Sequence, residues 1–202
     1  LLAPMSGVHR AAVADFDNDG DLDLVACALI SDNIMQKYDA NDFNSLIWLE
    51  QVAGRKFVRH ALETGDCYHA SADVADFDND GCKDLFISNG TRKEVNNRDY
   101  FKQVDKISGQ EQLNQSLALS LEMPEEPIDN YIFKNNGNTT FSKANEDWSL
   151  SHVGFSNGAA YGDLDNDGDL DLVINNIDQE AAIFRNDMPT SSVQNYLKIK
   201  LR

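Results

Sequence analysis

Short apolar runs alternate along the chain with clusters of aspartate, asparagine and glycine. The runs LVACAL (24–29), LIWL (46–49), LFIS (85–88), YIF (131–133) and LVI (172–174) are too short for ordinary helices. Bounded by turn-forming residues, they predict strands. Aligned on these runs, three segments match: GVHRAAVADFDNDGDLDLVACAL (7–29), CYHASADVADFDNDGCKDLFISNG (67–90) and GFSNGAAYGDLDNDGDLDLVINN (154–176). Each has a small-residue approach strand, an Asp-rich loop and an apolar strand. A second motif recurs between the loops. NSLIWLEQVAGRKFVRHAL (44–62) and NYIFKNNGNTTFSKAN (130–145) read as strand, Gly-containing turn, strand, and AAIFRND (181–187) repeats the first half. The repeating unit is therefore about four short strands, the size of one propeller blade, and the predicted fold is all-β. Trp48, Phe57, Tyr131, Phe133, Phe141 and Phe184 recur at comparable points and are assigned to blade cores.

The loops begin at residues 15, 76 and 163, so the second unit is longer, and its extra residues lie between Asn89 and Asn130. This stretch lacks strand alternation. Ser108 followed by Glu111 reads as a capping box, and Leu113, Leu117 and Leu121 then share one helix face. Pro124 and Pro127 stop the helix, and residues 99–106 suggest an earlier one. Residues 90–129 are predicted to be a helical insertion on a propeller rim that covers a blade edge, with a partner-binding or ligand-covering role as the alternative.

Each loop reads D-x-D-N-D-G-x-x-D. Carboxylates at alternate positions of a tight loop can converge on one hard cation, and the sixth-position glycine permits the sharp turn. The proposed side-chain ligands are Asp15, Asp17, Asp19 and Asp23 in the first loop. Asp76, Asp78, Asp80 and Asp84 serve the second loop, and Asp163, Asp165, Asp167 and Asp171 the third. The seventh position varies (Asp21, Cys82, Asp169), which suits a ligand that offers only its backbone carbonyl. Asn18, Asn79 and Asn166 are read as turn supports. An EF-hand would need a closing Glu at position twelve, where Ala26, Ile87 and Ile174 stand, and flanking helices. Three calcium ions are expected, with magnesium disfavoured because it prefers fewer protein ligands.

Charge narrows the partners. The formal net charge is -17, from 17 basic and 34 acidic residues, with no Lys/Arg run. That argues against nucleic acid. No run is long and apolar enough to span a bilayer. The opening, LLAPMSGVHR, has no initiator Met or basic leader, which fits a mature chain or an internal fragment. Cys27, Cys67 and Cys82 fit no compact zinc or haem spacing and are read as unpaired thiols, the alternative being one bridged pair with the third cysteine left over. His9, His60, His69 and His152 form no HExxH or other catalytic pattern, and no nucleophile elbow, P-loop or dinucleotide fingerprint occurs. No enzymatic activity is expected of this chain.

The three loops resemble the calcium loops of FG-GAP/VCBS repeats, which build integrin-α-like β-propellers, typically of seven blades. The segment from PIDNYIFKNNGNTTFSKANEDWSL to AAIFRND is similar to bacterial VCBS-repeat proteins that continue into an ASPIC/UnbV domain, an arrangement shared with cartilage acidic protein. In those proteins a strand like NYLKIKLR (195–202) opens the ASPIC/UnbV segment. The resemblance implies a partial propeller over residues 1–190, about three blades, then a linker and first ASPIC/UnbV-like strand over 191–202. Remaining blades would come from the same polypeptide or another copy. It also implies an extracellular, cell-surface or periplasmic setting. The expected function is a calcium-stabilised binding or scaffold module for protein or glycan partners. The alternatives are part of an exported polysaccharide-acting enzyme with its catalytic groups elsewhere, and a structural subunit of a surface assembly.

Overall fold

The computed structural model describes residues 3–30, 42–53, 55–65, 67–93, 98–107, 112–125 and 127–187. The Ser108/Glu111 capping box and the 195–202 strand lie outside the described residues. Among the described residues the chain is dominated by antiparallel sheets.

Sheet I is a four-stranded meander of β1 (Val8–Ala14), β2 (Asp23–Ala28), β3 (Asn44–Val52) and β4 (Lys56–Thr64), in that order. Sheet II repeats it with β5 (Ser71–Ala75), β6 (Asp84–Ser88), β8 (Tyr131–Asn135) and β9 (Phe141–Lys143). Sheet III has β11 (Ser156–Gly162), β12 (Asp171–Asn176) and β13 (Ala182–Phe184). A small pair, β7 (Ile128–Asp129) with β10 (Val153–Gly154), links the second and third units. Each acidic loop is the connection between the first and second strands of its sheet. The first strands also adjoin in sequence, β1 beside β5 and β5 beside β11.

Alternation along the strands sends side chains to two faces, and the apolar faces of neighbouring sheets meet. Phe16, Val25, Cys27, Leu46 and Trp48 of the first unit pack on Ala72, Leu85, Ile87 and Phe133 of the second. Phe16, Trp48 and the half-buried Phe141 form an edge-to-face trio with centroids 5.9–6.4 Å apart. A second core joins Phe77, Phe86 and Ile132 to Leu150, Leu172 and Ile174, with Phe184 packed against it. Cys27 and Cys82 are free thiols, and burial pushes the Cys27 thiol up to about 11.

The long second unit contains α1 (Arg98–Val104) and α2 (Gln112–Glu122), which pack on each other. The leucine stripe behaves differently from the covering face expected of it. Leu113, Leu117 and Leu121 are 79%, 58% and 69% exposed. The half-buried side of α2 carries Ser116, Leu119 and Ser120 instead. The helical period was readable, but a period does not say which side meets the neighbouring element.

A polar cluster ties sheet I to sheet II. His69, just ahead of β5 and fully buried, places Nε2 2.6 Å from Glu63 Oε2 and Nδ1 2.8 Å from Asn89 Oδ1. The Asn89 amide donates to the Asp129 carbonyl at 2.7 Å, so its oxygen must face the ring and Nδ1 must be the donor. Burial alone would raise Glu63, but hydrogen bonds from His69 and Ser45, with the charge of the ring, hold it below its usual 4.5. Glu63 therefore contributes stability that is fully present above about pH 4.5 and lost as pH falls through its depressed folded value. Glu63→Gln is expected to flatten that acid limb relative to wild type in urea unfolding curves measured in chelator between pH 7 and 3.5. An unchanged pH profile would count against the pair. Glu63→Ala should cost about 3 kcal/mol at pH 7, because it leaves a buried partner unpaired.

Candidate metal centres

The three loops share one local construction. In each, the third-position aspartate accepts the fifth-position N–H, and the fifth accepts the seventh, at 2.8–3.2 Å. In the first two loops the glycine N–H also donates to the first-position aspartate at 3.0 Å, Gly20 to Asp15 and Gly81 to Asp76. The sequence folds this way because two positions take left-handed backbone. These are Asn18, Asn79 and Asn166 (φ 58–70°) and Gly20, Gly81 and Gly168 (φ 92–105°).

This curl brings ligand-bearing oxygens together. Asp15, Asp17 and Asp19 each place a carboxylate oxygen within 4.8 Å of the others, as do Asp163, Asp165 and Asp167. In the second loop the converging trio is Asp76, Asp78 and Asp84. The residues suit a hard cation on an independent ground. Asp76 Oδ1 and Asp163 Oδ1 are buried and accept no hydrogen bond, although a buried carboxylate oxygen ordinarily finds a donor. Burial, followed by the charges of neighbouring aspartates, raises Asp169, and burial likewise raises Asp17 against the Asp19 N–H. Such crowding is relieved by a bound cation. At Cys82, burial and then Asp80 push the thiol up, so it stays neutral and is a poor ligand through sulfur. Its backbone carbonyl, like those of Asp21 and Asp169, remains the candidate donor.

The ninth-position aspartates do a second job that the motif does not announce. Asp23, Asp84 and Asp171 are 0%, 0% and 1% exposed. One oxygen accepts the second-position N–H of the same loop: Phe16 to Asp23 at 3.1 Å, Phe77 to Asp84 at 2.9 Å, Leu164 to Asp171 at 2.8 Å. The other accepts an N–H from the third strand or just beyond it: Gln51, Asn135 and Asn186, at 2.7–2.9 Å. Each aspartate thus bolts its loop to its sheet. Burial pushes the Asp84 carboxyl up to about 7 despite the two N–H donors.

Further bonds join one loop to the next. Asn135 Nδ2 donates to the Phe16 carbonyl at 2.8 Å, and Asn186 Nδ2 to the Phe77 carbonyl at 2.6 Å. Asn18 Nδ2 reaches the Gly81 carbonyl at 3.3 Å, and Asn79 Nδ2 reaches Asp169 Oδ1 at 2.6 Å. The fourth-position side chains of the first two loops therefore reach the following loop, where the sequence suggested support of their own turn. Asn135 and Asn186 were missed as functional positions. Their shared place in FKN and FRN was the available signal.

A family model for an FG-GAP-like repeat matches residues 124–174, from the end of the helical excursion through β8, β9 and the third loop to β12. The chain carries an FG-GAP-like repeat there. No curated protein matches the chain. No helix among the described residues is long and apolar enough to cross a membrane.

The two kinds of aspartate are separable by stability in chelator. Asp171→Asn should lower it by about 2 kcal/mol, because an amide replaces a charged acceptor of two buried N–H groups. Asp163→Asn should not lower it, because the buried Asp163 Oδ1 accepts no hydrogen bond that the change would remove. Equal losses in chelator would show that the two positions do the same work.

Proposed function

We propose that the chain is part of a calcium-stabilised β-propeller of FG-GAP repeats in an exported protein, serving as a binding or scaffold module for a protein or glycan partner. The observation that carries this reading is the recurrence of one acidic turn at the same place in three successive sheets. In two of these turns a buried carboxylate oxygen lacks a hydrogen-bond donor.

One ion per loop would be held by the first, third and fifth carboxylates and the seventh carbonyl, with the ninth carboxylate shared between ion and backbone. Calcium suits an all-oxygen set of this size and flexibility, whereas magnesium would demand a stricter octahedron. In this role the metal neutralises and stiffens the loops.

The propeller reading draws on the meander order, the adjoining first strands and the apolar cores between successive sheets. It also draws on the second loop position. Phe16 and Phe77 are 2% and 5% exposed because the next sheet covers them, while Leu164 is 55% exposed. Ile183 and Val153, also on the third unit, are exposed too. A further repeat would cover this end, supplied by the same polypeptide or another copy. The similarity of residues 195–202 to an ASPIC/UnbV opening strand fits a longer polypeptide of that kind.

Calcium should bind at three ions per chain in equilibrium dialysis. It should raise the unfolding temperature by an amount equivalent to about 4 kcal/mol per site when free calcium is a thousand times the dissociation constant. Magnesium at the same concentration should give a smaller shift. Identical melting curves in calcium and in chelator would sink the proposal.

A further inference from the structure

The second loop differs from the other two in what surrounds it. Immediately before the residue whose N–H binds the ninth aspartate stand Glu50, Lys134 and Arg185 in the three units. Glu50 pairs with His60 in its own sheet at 2.6 Å. Arg185 forms its ion pair with the exposed Asp187 at 2.7 Å, and feels the charge of Asp165 and Asp167 from farther off. Lys134 turns into the acidic loop: its ammonium bonds the Asp78 carboxylate and lies 2.8 Å from Asp80 Oδ2. These are the third- and fifth-position carboxylates. The same loop has Cys82 where the others have Asp21 and Asp169, and Lys83 where they have Leu22 and Leu170. It therefore holds one carboxylate fewer and one basic neighbour more, before Lys134 is counted.

Resting on the calcium reading above, we propose that Lys134 is a built-in competitor for the second loop, making it the weakest of the three metal sites and the last to fill. An ammonium and a divalent ion cannot both engage Asp78 and Asp80 without strong like-charge repulsion, so metal entry requires the lysine to swing out. When metal is scarce, the lysine offsets the repulsion among the carboxylates and keeps this middle loop formed. That loop is bonded to both of its neighbours, through Asn18 to Gly81 and through Asn79 to Asp169. Lys134 is thus a positioning cation that grades the metal response of the row of loops. The first and third loops respond at low calcium, and the second only where calcium is abundant.

The test is calorimetric calcium titration of the 202-residue chain, with urea unfolding in chelator and in saturating calcium, for wild type, Lys134→Met and Lys134→Arg. Wild type should show two tighter sites and one weaker. Lys134→Met should tighten the weak site by about tenfold, the equivalent of one partly buried ion pair, and leave the others unchanged. Its stability should also reverse sign with conditions, below wild type in chelator and above it in saturating calcium. Lys134→Arg, which keeps the charge, should retain the wild-type pattern. If two sites bind but Lys134→Met leaves the third unchanged or weaker, the competitor proposal fails and the calcium reading stands. If no site binds calcium in any variant, both fail. A Lys134→Met chain that is no less stable than wild type in chelator would also overturn the shielding role.

Discussion

Everything at the acidic loops depends on a carboxylate that faces away from solvent. Asp23, Asp84 and Asp171 are buried, and each joins the second position of its loop to the third strand of its sheet through two backbone N–H groups. Removing an ionised carboxylate from water costs several kcal/mol, offset here by two charge-assisted bonds. The offset is incomplete at Asp84, whose carboxyl is pushed up to about 7. In return the loop cannot shift against the sheet, and the remaining carboxylates are presented from a fixed frame. On that frame the curl brings together the first, third and fifth positions of the first and third loops, and the first, third and ninth of the second.

The repeat was legible because its three copies are nearly identical, and the strands because their apolar runs are short and bounded by turn residues. Less legible was anything that depended on orientation or on distant partners. A ninth-position aspartate looks the same in sequence whether it meets a cation or a backbone N–H. Asn135 and Asn186 find their partners 119 and 109 residues away, so no local pattern marks them. Lys134 reads as an ordinary basic residue on the polar side of a strand until the hairpin aims it at Asp78 and Asp80. The α2 leucines had the right spacing, yet the helix turns Ser116 and Leu119 inward and leaves Leu113, Leu117 and Leu121 in solvent.

Stacked apolar faces supply most of the attraction between sheets, but that attraction is non-directional and does not by itself fix how one sheet is placed on the next. The polar bonds between loops supply the registry. Asn18, Asn79, Asn135 and Asn186 each carry a neutral donor from one unit to an acceptor of its neighbour. An aspartate at position 79 would set a carboxylate against Asp169, and a lysine would be too long for the 2.6 Å contact made there. Asparagine fits both requirements: it adopts the left-handed backbone the turn needs, and it joins two acidic loops without adding charge of either sign. Ordering one loop therefore restrains the next through bonds made by neutral amides, with no cation taking part in them. The loops act as a connected row, although each has its own carboxylates.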